Sequence, residues 1–62
     1  MQGTAQEVSG LDLRVERIRH ELRGADVAAR MGISHQRVYQ LEQMRRVPRE
    51  LAERYLRALE TP

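Results

Sequence analysis

The fold of this chain is decided by one stretch, residues 25–43, which reads ADVAARMGISHQRVYQLEQ. At its centre stands Gly32, a residue suited to the left-handed backbone position that follows the last turn of a helix. Ile33 supplies an apolar plug, and the hydroxyl of Ser34 can accept a hydrogen bond from the first backbone amides of a new helix. The stretch therefore predicts two helices joined by a tight turn.

The segments on either side of this turn both have helical spacing. The first helix is predicted over residues 25–31, and its apolar residues share one side: Val27, Ala28 and Met31. In the second helix, Val38 and Leu41 lie three positions apart on the predicted buried side. Two short helices joined by a glycine-containing turn are typical of a helix-turn-helix, whose second helix enters a DNA major groove.

Two further helices are predicted outside this stretch. The upstream helix begins at Leu11, and its apolar side has spacings of four, three and four: Leu11, Val15, Ile18 and Leu22. Downstream, residues 43–47 are predicted to be a loop, because Pro48 suits the first turn of a helix and not its interior. The apolar stripe of the last helix is Leu51, Ala52, Tyr55, Leu56 and Leu59. The predicted fold is all-α, a compact bundle of about four short helices.

The size and composition exclude many functions. The 62 residues provide one domain, predicted over residues 11–60, and residues 1–10 are predicted to form a flexible tail. The absence of cysteine excludes disulfides and thiolate metal sites. We find no catalytic triad, phosphate-binding glycine loop or metal-ligand spacing, so we predict no enzyme, no cofactor and no metal site. Without an apolar span or signal peptide, we expect no membrane partner and a cytoplasmic location.

Positive charge is concentrated in and after the second helix of the central stretch. Residues 1–31 contain five arginines and five acidic residues, so their charges cancel. Residues 34–49 carry a net charge of +3, because only Glu42 opposes four arginines. These four are Arg37, Arg45, Arg46 and Arg49. Such a patch favours a polyanionic partner, and arginine suits bidentate contacts with phosphates and bases.

Several residues of the chain recur at the fixed offsets of a known pattern. The matching places are Arg17, Val27-Ala28, Gly32-Ile33-Ser34, Val38, Leu41-Glu42 and Pro48. With these places, residues 17–59 resemble the lambda-repressor-like helix-turn-helix family, the Xre and Cro group of bacterial and phage regulators. The resemblance covers 43 of 62 residues without a gap. Three places depart from it. Arg23 and Gly24 stand where the family has a small polar cap and a glutamine that contacts a phosphate, and Met44 replaces a loop glycine.

The resemblance implies roles for individual residues. The positions that touch base edges in similar regulators correspond to His35, Gln36, Arg37 and Gln40. The residues predicted to contact DNA phosphates are Arg23, Ser34, Arg45, Arg46 and Arg49. Arg17 and Glu42 correspond to a structural ion pair between the first and third helices.

These observations predict a sequence-specific DNA-binding transcription regulator, a repressor or autorepressor of phage or mobile-element type. Because one such domain makes few base contacts, we expect a homodimer that binds double-stranded DNA at an inverted-repeat operator. Candidates for an exposed apolar patch are Tyr39, Met44, Tyr55 and Leu56, with core packing favoured for the last two.

The alternative is a protein-interaction module. Residues 37–42 also resemble the recognition helix of sigma factor region four, which implies contact with RNA polymerase or its promoter, although Pro48 argues against this interpretation. An antitoxin is a further alternative, but residues 1–10 contain few apolar side chains with which to wrap a toxin.

Overall fold

Four helices make up the part of the chain that the computed structural model describes, residues 8–60. They are α1 (Gly10–Arg19), α2 (Gly24–Met31), α3 (His35–Gln43) and α4 (Arg49–Glu60). The all-α prediction is confirmed, and no strand occurs within residues 8–60. Residues 1–7 of the predicted tail lie outside the described residues. None of the described helices combines the length and apolar character that crossing a bilayer requires.

Helix α1 begins earlier than predicted, because Ser9 caps it. The Ser9 hydroxyl accepts a hydrogen bond from the backbone N–H of Asp12 at 3.0 Å, and the Asp12 carboxylate accepts one from the N–H of Ser9 at 3.1 Å. This capping box satisfies backbone donors that the first turn of a helix leaves open. Residues 8–10, which the sequence analysis assigned to the tail, therefore join the folded domain, and the carbonyl of Val8 accepts the N–H of Val47 at 2.8 Å.

The buried side of α1 differs from the predicted one. Leu13 is fully buried, whereas Leu11, Val15 and Ile18 are 61%, 41% and 54% exposed. Arg17 lies one turn after Leu13, and its ion pair with α3 holds this side of the helix against the bundle. The spacing of apolar residues treats arginine as solvent-exposed, and so it placed a different side of α1 against the core. The prediction that Leu11, Val15 and Ile18 are buried is wrong.

The turn between α2 and α3 is built on Gly32. Its φ of 72° is the predicted left-handed conformation, and its N–H donates to the carbonyl of Ala29 at 3.3 Å. The N–H of Ile33 donates to the carbonyl of Ala28 at 3.0 Å, and the Ile33 side chain packs against the core. These bonds form a Schellman motif, which ends α2 and redirects the chain within a few residues.

Glu21 occupies the same position after α1, with a φ of 58°. The N–H of Glu21 donates to the carbonyl of Ile18 at 2.9 Å, and that of Leu22 to the carbonyl of Arg17 at 3.2 Å. A left-handed conformation is uncommon for a residue with a side chain. Because no glycine marks this turn in the sequence, the predicted helix continued as far as Leu22.

The core lies where α3 and α4 pack against α1 and α2. Its largest fully buried side chains are Leu13, Val27, Val38, Leu41 and Tyr55. The predicted inward-facing residues of α2 and α3 are all buried. In α4, Tyr55 and Leu59 are buried as expected, whereas Leu56 lies at the edge of the stripe and is exposed. Tyr55 is therefore excluded from any exposed apolar patch.

The end of α3 and the start of α1 meet through their backbones. The N–H of Gly10 donates to the carbonyl of Met44 at 2.7 Å. A β-carbon at residue 10 would collide with backbone atoms of Leu41 and Glu42. Met44 itself is extended, with φ −79° and ψ 140°, so α3 ends there without the left-handed residue of the family pattern. Only glycine fits at residue 10 with the two helices this close.

Two arginines stabilise the ends of helices on the side of the bundle away from α3. Nη1 of Arg30 in α2 donates to the carbonyl of Ala58 at 3.0 Å. Nη2 of Arg54 in α4 donates to the carbonyl of Met31 at 3.4 Å. Each guanidinium thus satisfies a carbonyl that the last turn of the other helix leaves open.

Candidate nucleic-acid interface

Helix α3 is held at its beginning by Ser34. The Ser34 hydroxyl accepts the backbone N–H of Arg37 at 3.0 Å, as expected for an N-cap. A hydroxyl that accepts one hydrogen bond still has its own hydrogen to donate. Ser34 can therefore cap α3 and donate to a phosphate at the same time, which keeps its predicted role chemically open.

Glu42, the only carboxylate of α3, is turned into the bundle and is 8% exposed. Its Oε2 lies 2.7 Å from Nε of Arg17, and its Oε1 lies 3.2 Å from Nη2 of the same residue. The hydroxyl of buried Tyr55 also donates to it. Arg17 donates in addition to the carbonyl of Leu22 at 3.0 Å. The predicted pair of Arg17 and Glu42 is thus in contact, and the network joins α1, α3 and α4.

The network raises the pKa values of Arg17 and Tyr55. The hydrogen bonds that Arg17 donates to Glu42, opposed by burial, raise the pKa of the Arg17 guanidinium. Burial, reinforced by the hydrogen bond to Glu42, raises the pKa of the Tyr55 phenol above its ordinary value. Both groups therefore keep their protons at neutral pH and donate hydrogen bonds to Glu42. Because Glu42, the only carboxylate of α3, is buried in this network, the exposed side of α3 carries no negative charge.

The exposed side of α3 is neutral or basic along its whole length. Its exposed residues are His35, Gln36, Arg37, Tyr39, Gln40 and Gln43. Gln36, Gln40 and Gln43 are spaced by four and three positions, so they form one stripe opposite Val38. Within residues 8–60, no hydrogen bond occupies the three side-chain amides. They are free to bind an external partner.

All four residues predicted to contact bases lie on this exposed side. Gln36 and Gln40 are at its centre, one turn apart. His35 lies at the edge beside α2, where a β-carbon on Gly24 would come within 2.9 Å of Nε2 of His35. Arg37 lies at the opposite edge, as helical spacing requires.

The residues predicted to contact phosphates lie around α3. Arg45 and Arg46 follow its C-terminal end, and neither has an ion-pair partner within residues 8–60. Nε of Arg23 lies 3.7 Å from Asp26, and Nε of Arg49 lies 3.2 Å from Glu53. Those two pairs are exposed and join residues of the same helix or its cap. Exposed pairs contribute little stability, so these arginines can exchange a carboxylate for a phosphate.

Three residues that the sequence analysis did not assign to the site belong to this surface. Tyr39 and Gln43 are exposed on α3, and Arg14 of α1 lines the shallow cleft beside both of them. Arg14 also lines a second cleft with Arg45. The signal for Arg14 is indirect: once Arg17 faces Glu42, the residue one turn earlier must lie near α3.

The arrangement suits binding along a polyanion. The surface is a convex helix with unpaired amides at its centre and arginines beside its ends, and it encloses no deep cavity. Among residues 8–60, no three histidine, aspartate or glutamate side chains converge as a metal ion would require.

Comparison with known proteins agrees with this geometry. A family model described as a helix-turn-helix domain matches residues 10–62, which include all four helices and the site. The match indicates DNA binding. No curated protein matches the chain, and no solved structure does.

Proposed function

Since the chain belongs to the helix-turn-helix domain family, we propose that it is a sequence-specific DNA-binding transcription regulator that inserts α3 into the major groove. One observation carries the proposal: the exposed side of α3 has no carboxylate, because Glu42 lies inside the bundle, where it forms an ion pair with Arg17 and accepts a hydrogen bond from Tyr55. A helix that offers only amides, an imidazole, a phenol and a guanidinium can approach the phosphates of a groove without repulsion.

In this proposal the side chains of α3 contact the bases, and residues around α3 contact the phosphate backbone. The base readers are His35, Gln36, Arg37 and Gln40, and each good pair with a base contributes about 1–3 kcal/mol of discrimination. The phosphate contacts are Arg23, Ser34, Arg45, Arg46 and Arg49. Arg14 joins them because the fold brings it beside the C-terminal half of α3.

The proposal includes a homodimer and an inverted repeat. A single α3 offers too few base contacts for high specificity, whereas two copies related by a dyad would read half-sites about 34–36 Å apart. A dimer that occupies a promoter excludes RNA polymerase by occupancy alone. We therefore propose repression, with the chain's own gene as the first target to test.

The test is DNA binding measured by fluorescence anisotropy at several salt concentrations. The two duplexes are the DNA upstream of the protein's own gene and a shuffled duplex of equal length. We expect the upstream DNA to bind about a thousandfold more tightly, within the range of specific regulators. Weak binding that is equal on both duplexes and disappears with added salt would overturn autoregulation and favour the protein-interaction module instead.

A further inference from the structure

The exposed side of α3 combines amides with one aromatic ring. Gln36 and Gln40 stand at its centre, and Tyr39, at 61% exposure, stands beside them on the edge toward α1. Tyr39 follows Gln36 by three positions, so its ring adjoins that amide, whereas Gln40 stands farther around the helix. Within residues 8–60, none of these three side chains hydrogen bonds to another residue.

The chemistry of an amide favours adenine over the other bases. A glutamine side chain offers an NH2 donor group beside a carbonyl acceptor, and in the major groove adenine presents the complementary N7 acceptor and N6 donor. Guanine presents two acceptors there, which suit the two donors of arginine and leave an amide oxygen unpaired. The only guanidinium on α3 is that of Arg37, at the edge opposite Tyr39.

The aromatic ring fits the other base of the same pair. Thymine alone among the four DNA bases carries a methyl group in the major groove, and apolar side chains recognise it by contact. An exposed ring next to the adenine-reading amide of Gln36 is placed for such a contact. The two amides are separated by a rise of about 6 Å along α3, which is close to two base-pair steps.

We infer that this protein reads an A·T-rich half-site, in which Gln36 and Gln40 bind adenines and the ring of Tyr39 packs against a thymine methyl. The inference rests on the proposed function, and it names the base pairs that the site selects. G·C pairs are confined to the edge of the half-site that Arg37 reads.

The first test is selection of bound duplexes from a random pool with the full 62-residue chain. We expect a recovered half-site with A·T pairs at neighbouring or next-neighbouring positions, and we expect Gln36→Ala and Gln40→Ala to relax the preference there. A motif with G·C pairs at the positions relaxed by these variants would overturn the inference and leave the proposed function standing. Recovery of no motif would contradict the proposed function itself.

The second test isolates the thymine methyl. Replacing one selected thymine at a time by uracil removes a single methyl group. At the thymine that Tyr39 contacts, we expect a loss in affinity of roughly fourfold for the natural chain, the factor for burying one methyl. Tyr39→Ala should bind both duplexes equally, and Tyr39→Phe, which keeps the ring, should still distinguish them. Equal sensitivity to uracil with and without the ring would overturn the role of Tyr39.

Discussion

At the residue scale, the position of α3 depends on one buried carboxylate and the donors around it. Glu42 receives two hydrogen bonds from Arg17 and one from Tyr55. Without these partners the carboxylate would be either an uncompensated buried charge or a negative charge on the surface that we propose to face DNA. The network therefore serves stability and function together.

Removal of Arg17 tests the network most strongly. We expect Arg17→Met to lower the free energy of unfolding by about 3–5 kcal/mol, because Glu42 stays buried without its ion-pair partner. The double variant Arg17→Met/Glu42→Leu should regain part of this loss, since it leaves no buried charge. Urea denaturation at pH 7 measures both. Losses that simply add in the double variant would show that the two side chains act independently.

The Tyr55 hydroxyl predicts how stability depends on alkaline pH. Its pKa is raised in the folded state, so its stabilising effect is fully present below the ordinary value of 10.0 and is lost as pH rises above that value. We expect Tyr55→Phe to lower the free energy of unfolding by about 1.5–3 kcal/mol at pH 7, and to flatten its decline above pH 10. Denaturation at a series of pH values measures both effects. Tyr39→Phe is the surface control, with unchanged stability at pH 7, and identical alkaline slopes for Tyr55→Phe and the natural chain would contradict the prediction.

At the scale of elements, the contacts that place α3 come from residues far away in the chain. The spacing of apolar residues predicted α2 and α3, because each of these helices buries one apolar side in a single core. The same reasoning predicted that α1 is a helix but selected the wrong buried side, since Arg17 lies on the side that faces the bundle. It also missed Gly10, whose need for glycine comes from the backbone of α3 and not from its sequence neighbours.

In the candidate site, too, features that depend on one helix were predicted and features that depend on packing between helices were missed. The residues that the family pattern predicted to contact bases lie on the exposed side of α3, because their placement depends only on the helix that carries them. Arg14 was missed, because it reaches α3 through the packing of another helix. Glu21 was missed as a turn residue, because its left-handed backbone has no signal in the sequence.

The contact between α1 and α3 predicts different outcomes for two glycines. Gly10→Ala would press a β-carbon into the backbone at the end of α3, so we expect a loss of about 1–3 kcal/mol in the free energy of unfolding. Gly24→Ala is the matched control, because the nearest atom is the end of the His35 ring, at 2.9 Å, and this side chain can move away. Thermal or urea denaturation of both variants is the measurement. Equal effects in the two would contradict the close approach of α1 to α3.

At the scale of the whole molecule, two pairs of arginines have different surroundings. Arg30 and Arg54 close helix ends where α2 meets α4. Arg14 and Arg45 stand beside α3 without ion-pair partners among residues 8–60. Because α4 packs on α1 and α2, the surface around α3 is left open to a polyanion.

This difference predicts the salt dependence of DNA binding. We expect Arg45→Gln and Arg46→Gln to weaken binding to every duplex and to reduce the slope of log affinity against log salt by about 0.9 for each phosphate that the variant no longer neutralises. Arg57→Gln on α4 removes the same charge elsewhere and is the control. A slope that falls equally in all three variants would mean that net charge, and not position, determines binding.

The most direct test of the central claim, that the exposed side of α3 reads DNA sequence, is the affinity of Gln40→Ala for its selected duplex and for a shuffled one. We predict a loss of about 5- to 150-fold on the selected duplex, equivalent to about 1–3 kcal/mol, and no change on the shuffled duplex. Glu50→Gln on α4 should change neither. An equal loss on both duplexes, or no loss on the selected one, would contradict the claim.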